Sequence, residues 1–132
     1  MSDTDDSNFH LTLSVTNNAT VKFAKKSWDT SSGHITTVND IPASQTEPVA
    51  LFAIGTSMTW TGLVGHASWE ALLLNGHSAV VSLKFDMPYS GSNSGQFYGD
   101  ATFNTYFTID PNITMPGDGE LAHLSATINP KN

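Results

Sequence analysis

The chain has 132 residues, with 12 acidic side chains, 5 lysines, no arginine and no cysteine, for a formal charge of −7. That balance argues against a nucleic-acid binder, because neutralising phosphate needs basic side chains, and against electrostatic docking on anionic lipid. The missing cysteines exclude a disulfide framework and a thiolate zinc site, and no run approaches the roughly 18 apolar residues of a membrane-spanning helix.

In chain order, residues 1–8 are acidic and polar and lack both a basic segment and an apolar segment, so a disordered tail and no secretory signal are expected. Residues 9–132 read as a single domain. Phe9, Leu11, Leu13 and Val15 alternate with polar residues, the period of a half-buried strand. Val21 and Phe23 open a second strand, Gly33 to Ile41 holds a short one, and Val49 to Ile54 reads as a buried one. Further on, Phe103, Phe107 and Ile109 share strand parity with Thr105, and Ala122, Leu124, Ala126 and Ile128 form a last alternating face. No segment carries a helical stripe with caps.

The clearest element is the hairpin from His66 to Phe85. Ala67, Trp69, Ala71 and Leu73 share one face of the first arm; Ala79, Val81, Leu83 and Phe85 share one face of the second. A two-residue Asn75-Gly76 turn would set Trp69 opposite Ser82 and split the apolar faces, because a one-residue slip inverts every side chain. A three-residue loop, Leu74-Asn75-Gly76, keeps one apolar face, with Gly76 supplying the left-handed residue. Seven to nine short strands with polar turns predict an all-β fold, a two-sheet antiparallel β-sandwich. The longest irregular stretch is Asp86 to Asp100, which carries Tyr89, Phe97 and Tyr98, and aromatic-bearing loops are where such scaffolds place function.

The five histidines are scattered, and His10 and His123 fall opposite the apolar strand faces, so solvent exposure accounts for them better than a ligand or base role. No nucleophile elbow, phosphate loop or zinc motif is present; no catalytic activity, metal or other cofactor is expected. The aspartates sit mostly at expected turns, where capping is their ordinary use. Among the tryptophans, Trp69 has core parity. Trp28 and Trp60 fall near turns, where an amphipathic ring suits either a bilayer headgroup region or a sugar surface.

The run Ser82 to Asn93, SLKFDMPYSGSN, resembles the motif of the aegerolysin family: an aromatic strand end, Asp, a variable residue, Pro, an aromatic and a Gly/Ser-rich turn. Within that family the sequence is most similar in kind to the small components of the binary insecticidal crystal toxins of Bacillus. Asn17-Asn18, Trp28, the Gly-rich segment Gly55 to Gly65 and the Asn75-Gly76 turn follow the same order. The resemblance implies an aegerolysin-type β-sandwich that recognises membrane lipid or lipid rafts and works with a larger pore-forming partner. With no cysteine and no visible signal peptide, synthesis in the cytoplasm is expected, followed by release or secretion to act on target-cell membranes. Self-association stays open. The family's acidic triplet before the hairpin is replaced here by Thr61-Gly62-Leu63-Val64-Gly65, so sphingolipid specificity is not implied. The lipid-binding candidates are Tyr89, Trp28, Trp60, Asp86 and Pro88. A soluble carbohydrate-binding β-sandwich is the alternative.

Overall fold

The computed structural model describes residues 9–55, 62–118 and 120–131; the tail 1–8 and Trp60 lie outside the described residues. Among the described residues, nine strands and one short helix follow in chain order: β1 (Phe9–Asn17), β2 (Ala24–Ser32), β3 (His34–Val38), β4 (Gln45–Gly55), β5 (Leu63–Leu72), β6 (Ser78–Met87), β7 (Ser94–Gly99), α1 (Ala101–Tyr106), β8 (Phe107–Ile109) and β9 (Leu121–Pro130). They form two sheets, β3-β4-β1-β9-β8 and β2-β5-β6-β7. The all-β sandwich read from the sequence is the fold observed. The pairings are antiparallel with one exception: β1 and β9 run parallel, with Leu11 opposite Ala122 and Leu13 opposite Leu124.

Alternation along each strand decides what the sheets bury. Phe9, Leu11, Leu13 and Val15 of β1 and Ala122, Leu124, Ala126 and Ile128 of β9 are all buried. From the other sheet come Ala67, Trp69 and Ala71 of β5 and Ala79, Val81, Leu83 and Phe85 of β6. The fully buried Trp69 stacks edge-on against Phe97, with ring centroids 6.2 Å apart, and its Nε1 donates to the Asn39 carbonyl oxygen at 2.9 Å. A buried indole therefore keeps a hydrogen-bond partner. Asn17 occupies the last inward position of β1 and is also fully buried. Its amide nitrogen donates to the carbonyl oxygens of Val21 (2.9 Å) and Pro42 (3.2 Å), and its side-chain oxygen accepts from the Ala19 backbone nitrogen (2.9 Å). Asn17 thus fastens the turn leaving β1.

The β5–β6 hairpin has the three-residue loop that parity requires. Trp69 pairs with Val81 and Leu72 with Ser78; the Leu73 nitrogen donates to the His77 carbonyl oxygen. Leu74-Asn75-Gly76 is left as the loop, and Gly76 has φ +85°.

Three readings are corrected. The stretch Asp86 to Asp100 is not one loop: β7 runs through it, pairing Phe97 with Leu83 and burying Phe97. Phe103 is not on a strand. Asp100 caps α1 by accepting from the Phe103 backbone nitrogen at 2.8 Å, and Phe103 and Phe107 then close an aromatic cluster with Phe23, with centroids 5.2–5.7 Å apart. Finally, the second strand starts at Ala24; Phe23 itself makes an isolated bridge with Ile41.

Candidate functional site

The sandwich has two unlike ends. Strand β6 runs from the hairpin loop at one end to Met87 at the other, where Met87 pairs with Leu63 and is fully buried. Beyond it the chain leaves the sheet at Pro88 and Tyr89. This exit is fixed by Gly62, whose φ is +77°: a Cβ there would overlap the Met87 carbonyl oxygen and lie 2.9 Å from the Tyr89 nitrogen. Only glycine lets the two backbones approach so closely. Tyr89 keeps 39% of its surface exposed. With Pro88, Ser90, Ser92, Asp118 and Glu120 it lines a recess of about 560 Å³. The Asn93 nitrogen donates to the Gly117 carbonyl oxygen at 2.9 Å, which ties the loop after Tyr89 to the segment carrying Asp118.

Asp86, Pro88 and Tyr89 are therefore neighbours at this end, but they face different surfaces. Asp86 is an outward residue of β6, level with Val64 on β5 and Ser94 on β7, and it lines a groove on the outer face of the β2-β5-β6-β7 sheet. Trp28 lies elsewhere. It pairs with Ala67, an inward position, and because β2 is the edge of its sheet it stays 44% exposed. Four residues of strand separate its level from that of Met87, about 13 Å. The structure does not bring Trp28 to the Tyr89 loop.

Two features escape the sequence reading. One is that outer groove, about 810 Å³, whose polar side chains include His66, Lys84, Asp86, Gln96 and Tyr98. Strand parity on the β5–β6 hairpin carries the signal for three of them, since His66, Lys84 and Asp86 alternate with the core residues. The other is the hairpin end, where Leu74 is fully exposed and Tyr106 is 42% exposed. Together with Val21, Leu73, Phe107 and Pro130 they line an apolar recess of about 380 Å³. The Asn75 side chain donates to the Tyr106 hydroxyl at 3.0 Å, holding the loop against α1. Among the described residues no group of three His, Cys, Asp or Glu side chains is placed to hold a metal ion.

The fold is similar to that of IP-1A from Alcaligenes faecalis, with a TM-score of 0.72 at 13% identity over 98% of this chain and 96% of that one. It is also similar to RahU protein in its crystal structure with a Tris molecule, with a TM-score of 0.70 at 10% identity over 96% of this chain and 98% of that one. At these identities the likeness is one of fold. No protein-family model matches the sequence, and no curated protein matches it.

Proposed function

We propose that this chain is an aegerolysin-type protein that binds membrane lipid and serves as the small component of a two-part pore-forming system, insecticidal or cytolytic, alongside a larger partner. The observation that carries the reading is the placement of the FDMPYSGSN motif. Its Tyr89 stands 39% exposed at a strand exit fixed by Pro88 and Gly62, on a sandwich shared with IP-1A and RahU.

The chemistry of that end suits a zwitterionic headgroup. An aromatic ring attracts a quaternary or primary ammonium, and Asp118 and Glu120 line the same recess. These carboxylates stand in for the acidic triplet missing from the segment Thr61 to Gly65. Serine hydroxyls at 90 and 92 add donors for phosphate oxygens. A contact of this size is weak alone, so a partner or repeated copies would supply avidity. No helix among the described residues is long and apolar enough to cross a membrane; the larger partner is the proposed source of the pore.

Flotation with phosphatidylcholine vesicles tests the reading. The wild-type chain floats, and Tyr89→Ala floats at least several-fold less with an unchanged melting temperature. A wild-type chain that stays with the soluble fraction on every vesicle composition tried would exclude lipid binding. Dye release by this chain alone, as efficient as with a partner, would exclude the two-part arrangement.

A further inference from the structure

We infer that the outer groove of the β2-β5-β6-β7 sheet binds a neutral saccharide, free or carried as the headgroup of a glycolipid. This inference does not rest on the membrane reading, because it concerns a different face of the molecule.

The groove is built by register. His66 stands opposite Asp29 on β2 and opposite Lys84 on β6; Lys84 in turn stands opposite Gln96 on β7. The adjacent row is Ser27, Ser68, Ser82 and Tyr98. Neighbouring strands lie about 4.8 Å apart, so each row offers a polar group at that interval across four strands. Phe85 sits beneath, opposite Gly65 on one side and Gly95 on the other. A Cβ at Gly65 would lie 2.9 Å from the Phe85 ring and one at Gly95 would lie 2.8 Å from the Met115 sulfur, so both gaps are filled, and the outer face carries the polar rows with Val64 beside them.

The hydrogen-bonding capacity here is uncommitted. Among the described residues the side chains of His66, Lys84, Asp86, Gln96 and Tyr98 take part in no hydrogen bond or ion pair; in the adjacent row Ser27 and Ser68 bond each other at 2.8 Å. At about 810 Å³ the groove is within the usual range for a small-molecule site.

Its chemistry selects the ligand class. Two carboxylates, one lysine and one histidine give no dominant sign, so neither a polyanion nor a polycation is favoured. Val64 is the one aliphatic side chain among the described lining residues, too little to hold an acyl chain. Serine, glutamine, histidine and tyrosine both donate and accept, and the carboxylates and lysine supply acceptors and donors on either side. A polyhydroxylated ring, each hydroxyl of which also donates and accepts, is the complement. Tyr98, 39% exposed, adds a ring edge or face for the sugar's C–H surface.

The test uses the full-length, labelled chain on a printed array of neutral oligosaccharides and, separately, flotation with phosphatidylcholine vesicles with and without lactosylceramide. The expected result is binding to a neutral glycan or to lactosylceramide that falls about tenfold or more in Gln96→Ala and Tyr98→Ala, the loss of one or two hydrogen bonds or a ring contact. Flotation enhanced by lactosylceramide identifies a glycolipid source, and array binding without that enhancement a free saccharide. Gln96→Glu keeps the side chain's size while removing its donors, and serves as the check should an alanine variant melt early. Failure to bind any neutral glycan or lactosylceramide overturns the inference, as does binding that both groove variants leave intact. Tyr89→Ala separates the two readings: it lowers flotation on plain phosphatidylcholine and leaves glycan binding unchanged.

Discussion

Trp69 shows how far one residue can be read from its neighbours. Its parity with Ala67, Ala71 and Leu73 marks it as core, and it is fully buried. Trp69→Ala should cost about 3–5 kcal/mol, the usual price of emptying a large aromatic site, measured by urea denaturation. Asn17 was not legible in the same way. It continues the inward parity of β1, yet it is polar, and one of its acceptors, the Pro42 carbonyl oxygen, lies 25 residues away. Asn17→Ala would leave the half-buried carbonyl oxygens of Val21 and Pro42 and the buried Ala19 nitrogen without that partner, so a loss of about 1–3 kcal/mol is expected in the same measurement. The candidate lipid residues divide similarly. Tyr89 and Pro88 could be placed from the motif, whereas the position of Trp28 depends on which neighbour β2 finds. That neighbour is β5, with bulges either side of Trp28 that shift the register.

At the scale of elements, local signals succeeded where they were unambiguous. The three-residue hairpin loop followed from parity alone. The helix α1 was missed because Phe103 and Phe107 are four residues apart, which is two strand steps and also about one helical turn. The deciding residue is Asp100, whose side chain both caps α1 and accepts from the Val80 nitrogen. Strand β7 was missed because its glycines and serines carry loop composition; only Phe97 turns inward and is buried. Two glycines give element-scale predictions. At Gly76 a Cβ would meet nothing within 4 Å, so Gly76→Ala costs only the left-handed backbone, about 1–2 kcal/mol, read as a lower unfolding midpoint. At Gly62 a Cβ would overlap the Met87 carbonyl oxygen. Gly62→Ala should therefore displace the Tyr89 loop, and vesicle flotation should drop with it.

For the whole molecule the decisive pairing is β1 with β9. Alternation identifies both as strands but says nothing of which strand each will meet, and the partners here lie more than a hundred residues apart in sequence, as with Leu11 and Ala122. Such non-local closure is slow, so refolding on the millisecond-to-second scale typical of β-sandwiches is expected in stopped-flow measurements. Because β9 sits between β1 and β8, deleting residues 121–132 should abolish cooperative folding rather than trim an edge, which circular dichroism melts would show directly. The parallel pairing also bears on how the protein can be handled. Both strands set out from the Tyr89 end, so the chain enters β1 beside the Pro88–Ser92 loop and leaves β9 beside Leu74, roughly 30 Å away along ten residues of strand. A fluorophore or affinity handle on the carboxyl-terminal side would crowd the leucine tip and spare the tyrosine loop and its carboxylates; one joined directly at Phe9 would do the reverse. Comparing the two labelled forms on the same surface would report which way up the molecule stands.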